Sequence, residues 1–432
     1  MSRVKDLFMD KKTVLGLVLT GVGGFLGVYA VTSILTIFNY FLNNLITNAG
    51  VQGIDYGYLG TTFSILFILG AVASIFLANR FGHIKVMAVG GILSVFGLLY
   101  CGWVVADDAA RIILGIVFFA AGISAVLAMM LAVLVEKFSP YGLTGLAAAL
   151  IIIADRLAAP GGATFFLSLI NPSSLAMVYS AAGLLELAGL TIALVILFIA
   201  KRIQTSAPVA VKPHLLLGRS GVLLLLGVLV FLTAASSALS NNLQVAFFAR
   251  SGMTWETLDV IFSTPVSITF MILAVLGAGL LSDLASYLGS RQGKAMGARV
   301  GLLLLAAFSA GAVLFILANT ADLDSLLSGL SSFTPLEAAA ITALLALLFT
   351  YIQKKRINLI AGIYVALPPL AVAFFNLLTS LVVPINDYES PLVFAEIYYG
   401  IGLVCILVLV VRVMRQRPVV VERKVDEPTG PR

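Results

Sequence analysis

The sequence predicts an all-α polytopic membrane protein, with twelve transmembrane helices in two pseudo-symmetric six-helix bundles. Three observations lead there. Hydrophobic residues make up 61% of the 432 and charged residues only 11%, too few charges to clothe a soluble protein of this size. Apolar stretches recur along the whole chain, each able to cross about 30 Å of hydrocarbon as a helix of about 20 residues. All but three of the 26 Lys and Arg residues, the exceptions being Arg111, Arg156 and Arg250, fall in short segments that alternate spans place on one side. By the positive-inside rule that side is cytoplasmic.

In chain order the runs are roughly 13–37, 57–79, 84–106, 110–136, 141–169 and 174–200, then 216–248, 258–281, 295–319, 334–353, 357–384 and 391–413. None shows the strict alternation that a membrane barrel strand requires. The opening MSRVKDLFMDKK is followed by an apolar run, not by a cleavage site and a polar domain, so it reads as a retained cytoplasmic N-terminus. The stretch KRIQTSAPVAVKPH, 201–214, is the long central polar connector. The expected units are an N-terminal bundle over 1–200, this connector, a C-terminal bundle over 215–413 and a cytoplasmic tail over 414–432. The expected setting is the cell membrane (the inner membrane in a Gram-negative bacterium), with both termini cytoplasmic and the protein a monomer in contact with lipid.

Several function classes drop out on composition. A net charge of +6 concentrated beside apolar runs reflects membrane orientation, and no nucleic-acid partner is expected. Two cysteines inside apolar runs and two histidines provide neither a disulfide framework nor a metal site. No phosphate-binding loop, nucleophile triad or pair of catalytic carboxylates is recognisable, so neither a cofactor nor an enzyme activity is expected.

Two turns on the basic side stand out. After the second run come Asn79, Arg80, Phe81, Gly82, His83 and Lys85. After the eighth, Gly279, Leu281 and Asp283 precede Gly289, Arg291 and Lys294. Gly82 suits a helix C-cap. Asn79 can hydrogen-bond a neighbouring helix end, and Asp283 can accept from helix N-terminal amides. Asn79, Arg80, Gly82, Lys85, Gly279, Asp283 and Arg291 are therefore candidate gating residues. The same device in both halves suits a transporter built by repetition.

The first of these turns resembles the signature Gly-x-Leu-Ala-Asp-Arg-Phe-Gly-Arg of the major facilitator superfamily. Leu77, Ala78, Arg80, Phe81 and Gly82 are in place, while Ile75, Asn79 and His83 depart from it. Arg111, Gly115 and Gly122 resemble that family's fourth-helix pattern. Ala159-Pro160-Gly161-Gly162 resembles, in shortened form, the fifth-helix signature common in its antiporters. The resemblance implies two rocking bundles around a central site, and its antiporter-like part implies proton-coupled export.

Charges within the apolar runs supply the chemistry. Asp155 and Arg156 lie mid-span in LIIIADRLAAPGG. Such residues face the bundle interior, because hydrocarbon penalises them heavily. Asp155 is the candidate proton-coupling group, and Glu186 a second one. Arg156 is a candidate for binding an anionic group, with Arg111 a further candidate near the outer end of span four. Glu337 and Glu396 read as interfacial, and Glu186 as either lipid-facing or held by a local helix contact. Asn39, Asn43, Ser237, Asn241, Gln244 and Asn376 offer donors and acceptors to a substrate, or else bond helix to helix. Pro160, Pro265 and Pro368 are candidate helix kinks.

The functional expectation is a secondary transporter moving a small, amphipathic organic solute, with protons, by export. Proton-coupled uptake of an organic anion is the alternative. A non-transporting membrane sensor or assembly factor is the alternative of a different class.

Overall fold

The computed structural model describes residues 11–48, 56–103, 109–158, 175–203, 220–232, 265–292, 294–319, 323–350, 356–382 and 389–415. They form α1 (Lys11–Asn48), α2 (Tyr56–Phe81), α3 (His83–Trp103), α4 (Ala109–Phe138), α5 (Thr144–Leu157) and α6 (Leu175–Ile203). After α7 (Ser220–Leu232) come α8 (Pro265–Gln292), α9 (Lys294–Asn319), α10 (Leu323–Thr350), α11 (Ile357–Val382) and α12 (Glu389–Arg415). The protein is an all-α, multi-pass membrane fold. Seven helices are long and apolar enough, among the described residues, to cross a bilayer: Lys11–Leu35, Thr62–Phe81, His83–Trp103, Ile112–Tyr141, Met177–Ile203, Ile268–Tyr287 and Ile397–Arg415. Shorter apolar helices cover Ser220–Leu232, Arg299–Ala312, Pro335–Thr350 and Ile357–Leu367. The connector over 201–214 lies largely outside the described residues.

Large side chains such as Phe76, Ile92, Leu184, Phe270 and Leu314 stand exposed on the outside of the bundle. In water such a surface would aggregate; in acyl chains it is the proper solvent-facing surface. Inward faces carry small residues and close-packed aromatics. Phe38, Phe63, Phe119 and Tyr179 form one ring cluster, with Phe38 and Phe119 centroids 4.3 Å apart.

The turns show how the chain reverses on the basic side. Gly82 has φ 86 and donates its amide to the Ala78 carbonyl at 2.9 Å, ending α2 one residue before α3 begins. That left-handed conformation is what a residue without Cβ adopts at no steric cost. Farther on, Arg299 of α9 donates to the Val413 and Met414 carbonyls at 3.3 and 3.2 Å, satisfying acceptors at the C-terminal end of α12.

Packing repeats with an offset of six helices. The pairs α2–α3, α2–α4, α3–α4 and α3–α6 recur as α8–α9, α8–α10, α9–α10 and α9–α12. The contacts between early and late helices obey the same rule, since α2 packs on α11 and α5 packs on α8.

One boundary differs from expectation in a way that matters. The tenth run was expected to begin near 334, but α10 starts at Leu323. Its first turns, LDSLLSGLSSF, are too polar to read as an apolar run. Yet Leu323, Leu326, Leu327 and Leu330 follow helical spacing. Pro335 therefore lies inside the helix, and Glu337 lies near its middle.

Candidate functional site

The site is built on α5, a helix of 14 residues. Near its C-terminal end Arg156 reaches α10, where Nη2 donates to Glu337 Oε1 at 3.2 Å. The Glu337 side chain is only 4% exposed, whereas that of Arg156 retains 29%. The interfacial reading of Glu337 is thus corrected: the extra helical turns of α10 carry it into the interior. Asp155, next to Arg156 in α5, lies within electrostatic reach of Arg156 and Glu337, with Thr32 of α1 close by. Tyr364 of α11 and Tyr399 of α12 lie close enough to interact electrostatically with Arg156 and Glu337. One guanidinium and two carboxyls, drawn from α5 and α10, thus meet among residues of α1, α11 and α12.

The same two helices meet again at the basic end, where Thr144 Oγ1 and Thr350 Oγ1 are 2.7 Å apart. Thr144 to Arg156 is twelve residues, about 18 Å of helix, and Glu337 to Thr350 is thirteen, about 20 Å. The spacings match, so α5 and α10 run antiparallel along a seam pinned at both ends.

The basic end carries two further links. Asp283 of α8 accepts from the Gly145 amide at 2.6 Å and the Leu146 amide at 2.9 Å. It therefore caps the N-terminus of α5, where orphan amides and the helix dipole favour negative charge. The approach depends on two glycines: a Cβ on Gly145 would strike the Gly279 carbonyl, and one on Gly279 would strike the Gly145 carbonyl. At the corresponding turn Asn358 of α11 donates through Nδ2 to Asn79 Oδ1 at 2.9 Å. His83 Nε2 lies 2.7 Å from Asn358 Oδ1, and its Nδ1 lies 3.2 Å from Glu136 Oε2 of α4. Arg80 and Lys85 are exposed there, Arg80 lying over the Phe81 ring at 5.4 Å.

Three solved structures share this arrangement of helices. The human organic anion transporter MFSD10 is 16% identical, with 92% of this chain and 99% of that chain covered at a TM-score of 0.64. A bacterial homologue of the iron transporter ferroportin, in an outward-facing state, is 14% identical, with 90% and 99% covered and a TM-score of 0.63. The E. coli fucose:proton symporter FucP is 12% identical, with 92% and 99% covered and a TM-score of 0.56. The fold is like that of the major facilitator superfamily. No family model matches the chain, and no curated protein matches it in sequence, so the likeness is one of fold. Among the described residues no group of three or more His, Cys, Asp or Glu could hold a metal ion.

In this facilitator-like frame the remaining candidates sort by place. Glu186 of α6 is neither at the central cluster nor facing lipid. It is 0% exposed and accepts from Ser94 Oγ of α3 at 2.6 Å, while Oε2 takes no hydrogen bond among the described residues. Its neighbours Leu184 and Leu187 are exposed, so the acid sits on the one face of α6 that meets α3. Asn39 and Asn43 fall in α1, Arg111 in α4, Arg291 in α8, and Pro368 and Asn376 in α11, but their side chains lie outside the described set. Pro265 is the first described residue of α8. Pro160, Ser237, Asn241 and Gln244 lie outside the described residues. Sequence reading passed over Ser94, Thr144, Thr350, Asn358, Tyr364 and Tyr399, whose residue types are too common in membrane helices to single out.

Proposed function

We propose that the protein is a secondary transporter that moves a small organic anion by alternating access, coupled to protons in the uptake direction. The fold is one that carries transport, not catalysis. The observation that supports the substrate class is the part-buried Arg156–Glu337 pair. A cation held in the membrane interior, with 29% of its side chain still exposed, is a natural seat for an anionic group. Its likeness to an organic anion transporter and to a proton symporter favours this reading over export of an amphipathic solute. The export reading leans on residues 159–162, which lie outside the described residues.

In this reading 1–200 and 215–413 act as two bundles, and the offset-by-six packing supports that division. The links at the basic end, through Asp283, Thr350 and Asn358, hold that end shut and leave the opposite end to open. Asp155 serves as the proton-responsive group beside Arg156, within reach of Thr32. The test is uptake of small organic anions into proteoliposomes under proton gradients of either sign. Wild type accumulates the anion when protons move with it, Arg156→Gln abolishes accumulation, and Asp155→Asn removes its dependence on the proton gradient. Gradient-driven accumulation that survives in Asp155→Asn would remove that residue from the mechanism.

A further inference from the structure

We propose that the basic end of α12 is a binding site for an anionic phospholipid, whose phosphate sits on Arg412 and Arg415 and whose acyl chain lies along the helix. The inference rests on the membrane fold and is independent of what the protein transports.

The outer face of α12 carries the argument. Ile397, Ile401, Val404, Val408 and Val411 are exposed, and so are Arg412 and Arg415. At about 100° per residue, all seven fall within about 100° of the helix circumference. They form one stripe, apolar along its length and cationic at its end. From Ile397 to Val411 the stripe rises about 21 Å, more than the roughly 15 Å that one leaflet contributes to the hydrocarbon core. An acyl chain can therefore lie on it for the full depth of the leaflet. The arginines come where the apolar face stops, at the level of the headgroups.

Arg299 fixes the site. From α9 it donates to the Val413 and Met414 carbonyls at 3.3 and 3.2 Å. These carbonyls belong to the last turn of α12, whose acceptors have no partner within the helix. The contact holds the turn that bears Arg412 and Arg415, and it brings a third guanidinium to them. No carboxylate from either helix answers this charge: α9 has no acidic residue, and Glu389 and Glu396 belong to the opposite end of α12. Basic residues also orient spans and complement the helix dipole. Neither role requires that the arginines share the apolar stripe or that a neighbouring helix pin their turn. Guanidiniums match the paired oxygens of a phosphate, and the stripe selects a phosphate that carries acyl chains over a soluble one.

The experiment uses the full-length protein purified in detergent. The probes are dioleoyl phosphatidylglycerol, dioleoyl phosphatidylcholine and inorganic phosphate. Native mass spectrometry counts the lipids bound and gives their affinities. Each cation beside the phosphate contributes about fivefold, equivalent to about 1 kcal/mol. Wild type therefore binds phosphatidylglycerol at least about tenfold more tightly than phosphatidylcholine. Arg412→Gln/Arg415→Gln weakens phosphatidylglycerol binding about 25-fold and leaves phosphatidylcholine binding unchanged. Lys11→Gln/Lys12→Gln removes the same charge from exposed lysines at the start of α1 and changes neither affinity. Millimolar inorganic phosphate displaces none of the lipid. Wild type with no preference for phosphatidylglycerol overturns the inference without recourse to any variant. Equal losses in the two double variants also overturn it, since net charge alone would then set the binding. Displacement by inorganic phosphate overturns the assignment to a lipid.

Discussion

Glu186 and Glu337 are both acids inside apolar helices, and their partners give them different roles. Glu337 meets a guanidinium from another helix, whereas Glu186 meets only a serine hydroxyl and leaves Oε2 without a partner among the described residues. Ser94→Ala should therefore strip Glu186 of its hydrogen bond and lower stability by about 1–3 kcal/mol, seen as a reduced Tm of the detergent-solubilised protein. Glu186→Gln keeps an acceptor for Ser94 without the burden of a buried acid, and should leave Tm unchanged or raise it. The place of Asp155 and Arg156 inside the fold was legible from cost alone, because two adjacent charges in an apolar run have few other places to go. Glu337 was not, since its depth depends on where α10 starts, and a serine-rich first turn hides that start. Ser94 and Thr144 were invisible for another reason: a hydroxyl in a membrane helix can bond back to its own helix, as Thr20 and Ser33 do.

At the scale of the element, α5 is gripped from both ends. Asp283 holds its first amides, Thr350 holds its first side chain, and Glu337 holds its last charged turn. The grip at the basic end requires backbone contact at Gly145 and Gly279. Gly145→Ala should force α5 and α8 apart at a cost of about 1–3 kcal/mol, typical of overpacking, and lengthen both Asp283 contacts. The measurement is the distance between spin labels on α5 and α8 at the basic end, which should lengthen when Gly145→Ala is added. An unchanged distance would mean that the glycine contact does not set the approach of these helices. The turn motifs were readable in the sequence because glycine, asparagine and aspartate have few reasons to cluster at a span end. The antiparallel match of α5 with α10 was not readable, because it depends on distances along two helices that no local pattern encodes.

On the proposed alternating access, the relevant quantity for the whole molecule is the balance between two arrangements, and each link at the basic end contributes to one side of it. Asp283→Asn should retain one of two amide contacts, lose the charge, and weaken the cap by about 1–2 kcal/mol. A change of about 1.4 kcal/mol shifts a two-state population tenfold. Spin-label distances across the basic end should therefore show a markedly larger open fraction in Asp283→Asn. Asn358→Ala, acting at a separate contact, should add to it nearly independently. The recurrence of helix pairs at an offset of six fits the twofold repetition that a mid-chain polar connector and alternating basic turns suggest in the sequence. The repeat is not chemically even, however. One closure is an anion seated on helix amides, and its counterpart is a pair of neutral carboxamides beside an imidazole. Two bolts of unequal strength do not slide together: the amide bolt on the α2–α11 side should draw first, so that the protein parts asymmetrically and one flank leads the other.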